Sequence, residues 1–121
     1  MNKIQSFKDL LIWQKGIDIA VEIYILTKVF PGDEIFGLTS QVRRAANSIT
    51  LNISEGFGRH TVKSYINYLV NSRSSLNEVE SAMLLAVRLG FISDDKLVNL
   101  QSLIIEEGKM ITSLINKLNS K

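Results

Sequence analysis

The sequence predicts an all-α fold, an up-down-up-down antiparallel four-helix bundle, on three observations. The chain has a single proline, Pro31, in 121 residues, and proline-poor stretches favour long helices. No segment sustains the period-two alternation of a half-buried strand. Helix-breaking residues gather at Pro31-Gly32-Asp33, at Gly56 to Gly58 and at Gly90, cutting the chain into four stretches with short connections. Long helices joined that way lie antiparallel to their neighbours. Residues 1–121 read as one domain, without internal repeats, linkers or low-complexity tracts.

The first helix is expected from Ser6, which has the capping-box spacing to Asp9, to about Phe30 before the proline. The second runs from about Thr39 to Glu55, with Gly56 and Gly58 as residues that accept the left-handed conformation at a helix end. The third spans about Thr61 to Leu89, with Gly90 as its stop. The fourth opens at Ser93, where Asp94 and Asp95 suit the positive end of the helix dipole, and continues nearly to Lys121. At about 1.5 Å per residue these helices would be roughly 25–45 Å long. In the second, Leu38, Val42, Ala45, Ala46, Ile49, Ile53 and Phe57 define a core stripe at helical spacing.

The first helix carries more apolar residues than one core needs. Between Leu10 and Leu26, 12 of 17 residues are apolar, where a core-facing helix uses about three positions in seven. Two stripes can be drawn. Leu10, Trp13, Ile17, Ala20, Val21 and Tyr24 form one, and Ile12, Ile19, Ile23 and Leu26 the other. Either this helix lies unusually deep in its own core, or the second stripe faces another copy. The homo-oligomer, with Ile12, Ile19, Ile23 and Leu26 at its interface, is the expectation.

Composition removes several function classes. The absence of cysteine excludes a disulfide scaffold, a thiolate metal site and a thiol nucleophile. Uncharged stretches such as Ala45 to Ser54 are far shorter than the roughly 18 residues that span a bilayer, and no signal-type apolar core follows Lys3, Lys8 and Asp9. A cytoplasmic protein without a membrane partner is expected. Catalysis finds little support. The lone histidine, His60, has no second His or Cys for a zinc site, and no Glu-x-x-His pair marks a di-iron bundle. Glu78 and Glu80 point apart on a helix, while Asp94-Asp95 and Glu106-Glu107 read as solvated. No metal or cofactor is expected. Asn52-Ile53-Ser54 matches a glycosylation acceptor and Gly56-Phe57-Gly58 a phosphate loop, but each lies in the wrong structural context.

Charge is distributed unevenly. From Gly37 to Ser75 there are five basic residues, Arg43, Arg44, Arg59, Lys63 and Arg73, against one acid, Glu55, so the rest of the chain is net negative. Four of the five are arginine, which suits bidentate phosphate contact. With His60 they form the candidate nucleic-acid-binding set, and Arg59, His60 and Lys63 would cluster beside the amides opening the third helix. Arg44, Ser48, Asn52, Glu55 and Arg59 step along one flank. This flank has a competing structural reading, a hydrogen-bonded seam at the edge of the bundle or between subunits, in which Glu55 neutralises an arginine. No aromatic-rich or helix-turn-helix segment is present to read bases.

The run Phe30-Pro31-Gly32-Asp33-Glu34-Ile35-Phe36-Gly37-Leu38-Thr39-Ser40-Gln41-Val42-Arg43-Arg44-Ala45-Ala46-Asn47-Ser48-Ile49, continued by Asn52-Ile53-Ser54-Glu55-Gly56-Phe57-Gly58-Arg59, resembles the signature of the four helix bundle protein family, also called the 23S ribosomal RNA intervening-sequence protein family. Phe7-Lys8-Asp9-Leu10 with Trp13-Gln14-Lys15, the stretch Ser74 to Glu80, and Leu89-Gly90-Phe91-Ile92 extend the resemblance over about residues 7 to 92. Ser54 and Gly16 stand where the family usually has alanine. The resemblance implies a bacterial four-helix bundle assembled as a homopentameric ring or barrel. Some members are encoded inside intervening sequences of large-subunit rRNA genes. A related branch, the accessory variability proteins of diversity-generating retroelements, binds nucleic acid and a reverse transcriptase. The expected function is a non-enzymatic homo-oligomer that binds RNA or DNA non-specifically. Its partners would be its own copies, nucleic acid, and a reverse transcriptase or other nucleic-acid enzyme. The alternative is a protein-interaction scaffold or accessory subunit that binds no nucleic acid.

Overall fold

A computed structural model of the chain describes residues 3–120. Four helices, α1 (Leu11–Leu26), α2 (Leu38–Phe57), α3 (Val62–Arg88) and α4 (Val98–Asn119), form the bundle. Each of α1 and α3 packs against both α2 and α4, so the helices run around the bundle in chain order. The fold class is the expected one. Among the described residues there is no strand, and no helix is long and apolar enough to cross a membrane.

The expected first helix is divided. Lys8 N–H donates to Ser6 Oγ (3.1 Å) and Ser6 N–H to Asp9 Oδ2 (3.1 Å), so the capping box exists. It closes a 3-10 turn, Phe7–Asp9, after which Leu10 is extended and α1 begins anew. Phe7 folds its ring edge-on to Trp13, 5.3 Å between centroids, which anchors the turn on the helix. At the other end the Thr27 hydroxyl donates to Ile23 O (2.7 Å) and the backbone tightens into a second 3-10 turn, Thr27–Val29. The fourth helix likewise starts later than expected. Asp94–Leu97 is a 3-10 turn before α4, and α4 then runs to Asn119, nearly to Lys121 as expected.

Gly56 and Gly58 act differently from expectation, while Gly90 is the stop it was expected to be. Gly56 is a buried helical residue. A Cβ there would sit 2.7 Å from Tyr68 Cβ and 3.0 Å from Tyr65 Cδ1, so its service is to let α3 approach α2. Gly58 ends α2 at φ −82°, within the right-handed region. Gly90 alone among the described residues has positive φ, +78°. Its N–H bonds Val87 O (3.0 Å) and the Phe91 N–H bonds Ala86 O (2.9 Å), the paired bonds of a Schellman stop.

The stripe assigned to an intermolecular interface lies inside the chain's own core. Ile19 and Ile23 are 0% exposed and Ile12 5%, while Leu26 is half-buried against the same cluster. The buried line of α1 continues through Gly16, Ala20 and Thr27. Two of these are small and one is polar, so a count of large apolar residues assigns the wrong phase. A glycine is used at position 16 because a Cβ would meet Thr50 Cγ2 at 2.7 Å. The apolar surplus is nonetheless present on the opposite side. Leu11, Val21, Ile25 and Val29 are 54–68% exposed and share the outer face of the α1 segment, with Tyr24 at its flank.

Candidate nucleic-acid interface

The six basic candidates occupy three separate places. Arg43 and Arg44 leave the start of α2 in different directions. Arg43 is half-buried. Its Nε donates to Thr27 Oγ1 (2.9 Å) and its guanidinium lies 4.7 Å from the centre of the Tyr24 ring. Asn47 Nδ2 donates to the Tyr24 hydroxyl (3.0 Å). Arg43 is therefore a strut between α2 and the end of α1, and its partner Tyr24 is not among the residues expected at the site. Arg44 is exposed and makes no side-chain hydrogen bond or ion pair among the described residues. It borders the α1/α2 groove, about 670 Å³, together with Tyr24, Ser40, Asn47 and Ser48. On its other side it borders a groove that also contains Glu78.

The second place is the α2–α3 turn, fifteen residues and roughly 22 Å further along at helical rise. Arg59 Nη2 donates to Glu55 Oε2 (3.2 Å) and to the Tyr68 hydroxyl (2.6 Å), and its guanidinium lies 4.8 Å from the Tyr68 ring centre. Its charge is partly neutralised and its rotamer held. His60 and Lys63 are exposed, and neither bonds another side chain among the described residues. Thr61 Oγ1 accepts from Ser64 N–H (3.1 Å), so the start of α3 already has its own cap. The expected grouping of Arg59, His60 and Lys63 at one end is present.

Arg73 is apart from both. It is half-buried between α3 and α4, where its Nη1 donates to Thr112 Oγ1 (3.1 Å). The flank from Arg44 to Arg59 matches the structural reading in its centre. Asn52 Nδ2 donates to Ser48 O and Oγ (2.8 and 2.9 Å), and Ser75 Oγ to Ser48 Oγ (2.9 Å). Ser72 Oγ donates to Ile49 O (2.8 Å). This network joins α2 to α3 within one chain and leaves Arg44 outside it.

The least expected group is Glu107. Its sequence neighbour Glu106 suggests a solvated pair, yet Glu107 is 0% exposed and neither carboxyl oxygen has a hydrogen-bond partner among the described residues. It occupies the apolar line Leu100, Ile104, Glu107, Ile111 and Ile115 at helical spacing, a signal legible in the sequence. Burial drives its pKa up to about 8. The Lys15 charge opposes this and the Asp18 charge adds to it. Lys15 itself pairs with Glu106 (3.0 Å) at the surface. Among the described residues no group of three or more His, Asp or Glu side chains is arranged to hold a metal ion.

The comparisons with known proteins agree with this architecture. The family model described as 23S rRNA-intervening sequence protein matches residues 8–113. The chain belongs to that family. A crystal structure of a protein with unknown function from the S23 ribosomal protein family of Bacteroides thetaiotaomicron superposes with a TM-score of 0.79. It is 25% identical and covers 87% of this chain and 98% of its own. No curated protein matches the sequence. The family is one of unknown function and is not a known enzyme family.

Proposed function

We propose that this chain is a non-enzymatic, self-associating bundle whose assembly binds RNA or DNA through phosphate contacts. The observation that carries self-association is the outer face of the α1 segment, where Leu11, Val21, Ile25 and Val29 are exposed in one copy. Gln14 and Asp18 are also exposed on this face between Leu11 and Val21, so its apolar part is the Val21, Ile25 and Val29 end, which a partner surface would stabilise. The family resemblance makes a pentameric ring the expected assembly.

Nucleic-acid binding rests on Arg44, His60 and Lys63, whose side chains are engaged by no other described side chain and project to solvent. Arg43, Arg59 and Arg73 are committed to Thr27, Glu55 and Thr112 and contribute less. Two or three phosphate contacts per copy give weak, sequence-independent binding, in the range of about 10⁻⁴–10⁻⁶ M. A ring that presents several copies to one strand multiplies that by avidity. A gel-shift series against a single-stranded RNA from low to high salt tests it. Binding at low salt that is lost steeply as salt rises supports the reading, and no binding at low salt overturns it.

The scaffold reading is favoured by one observation, that half of the predicted basic set is tied up inside the chain. It predicts that Arg44→Ala and Lys63→Ala leave every ligand interaction of the assembly unchanged.

A further inference from the structure

The loop between α1 and α2 presents Phe36 at 95% exposure. It is not a loose loop. Glu34 N–H bonds Pro31 O (3.0 Å), Gly37 N–H bonds Glu34 O (2.9 Å), and the Leu38 N–H donates to Glu34 Oε1 (2.9 Å). Glu34 thereby caps α2. A Cβ on Gly37 would sit 2.6 Å from that carboxylate oxygen, so the glycine makes the cap sterically open. An aromatic ring on a hydrogen-bonded frame, without cover from its own chain, is pre-organised as an anchor.

At the same end of the bundle lies an apolar recess of about 750 Å³. It is lined by Ile25, Val29, Val87, Phe91 and Ile92, with Lys96 at its edge. Phe36 borders the α2/α3 side, beside Leu85 and Leu89, whereas the recess opens where α1 meets the α3–α4 turn. With the helices in chain order around the bundle, knob and recess lie on opposite sides. Asp33 flanks the knob, and Lys96 is the charged side chain among the residues lining the recess, with Asp94 and Asp95 beside it in the turn.

We propose that Phe36 of one copy seats in the Ile25–Val29–Phe91 recess of the next, a head-to-tail contact between identical chains. This rests on the self-association argued above and names its contact. The recess is continuous with the outer face of α1, so one partner would cover both. Contacts between different patches generate rings when the rotation closes and filaments when it does not. Knob and recess at one height along the bundle need no translation from copy to copy, which favours closure.

The test uses the full chain in solution. Phe36→Ser should raise the concentration at which the assembly dissociates by about tenfold to a hundredfold, read by sedimentation velocity. Far-UV circular dichroism and the melting of the dissociated chain should change little, because Phe36 is 95% exposed in its own chain. Asp33→Lys should weaken assembly, and adding Lys96→Glu should restore it. The natural chain has no cysteine, so Ile35→Cys and Val29→Cys chains, which both keep Phe36, mixed and treated with a short bis-maleimide, report the pairing without background. Cross-links between the two different variants support the contact. Cross-links confined to Val29→Cys pairs overturn it in favour of a two-fold α1–α1 contact. Assembly unchanged by Phe36→Ser overturns the knob while leaving self-association standing. A wild-type chain that is monomeric at every concentration overturns both.

Discussion

Replacing Glu107 should make the protein less sensitive to alkali. The carboxyl is wholly buried without a hydrogen-bond partner, and its pKa rises from 4.5 to about 8 because burial penalises the charged form. The folded state therefore holds a proton that the unfolded chain has released between those two pH values. Stability is fully present below about pH 4.5, falls as pH rises, and levels off above about pH 8. The slope approaches about 1.4 kcal/mol per pH unit. Relative to acid, the cost is about 3 kcal/mol at pH 7 and about 5 kcal/mol once the group is ionised. Urea unfolding at pH 5, 7 and 8.5, at one protein concentration, measures it. Glu107→Gln should remove this contribution, and Glu107→Leu, placed among Ile104, Ile111 and Leu100, should be more stable than wild type at pH 8. A wild-type pH profile parallel to that of Glu107→Gln between pH 5 and 8.5 would refute the reasoning.

The other outcomes concern packing, ligand and assembly. Gly56→Ala should destabilise by about 1–3 kcal/mol, because its methyl falls 2.7 Å from Tyr68 Cβ; thermal melting reads this directly. Gly90→Ala, at φ +78°, should lose about 1 kcal/mol by the same measurement. Arg44→Ala and Lys63→Ala should each weaken binding to unrelated RNA sequences alike and reduce the salt slope by just under one per copy. Arg73→Ala, whose guanidinium is bonded to Thr112, should alter the slope less than either.

Four helices and their three stops were legible because glycine and proline act locally and apolar spacing is periodic. What escaped were features set by partners distant in sequence. The phase of α1 was misjudged because its buried line passes through Gly16, Ala20 and Thr27. Gly16 serves close approach to α2 and Thr27 a helix-end hydrogen bond, neither of which hydrophobicity reports. Gly56 looked like a stop because its contact, Tyr68, comes from the next helix. The basic set lies at three separate places in the fold and not on one surface. Net charge along a segment carries no information on whether Arg43 bends toward Tyr24 or Arg73 toward Thr112. Glu107 was the reverse case, since its place on the apolar line of α4 was visible and its carboxyl suggested solvent.

The central claim is that copies of this bundle cover the outer face of α1 with one another. Light scattering coupled to size exclusion, comparing wild type with Ile25→Asp at about 50 μM, tests it most directly. Ile25 is 54% exposed, so an aspartate there should not disturb the chain's own core. The account predicts a closed oligomer for the wild type and a folded monomer for Ile25→Asp. A monomeric wild type, or an Ile25→Asp oligomer of undiminished mass, would contradict it.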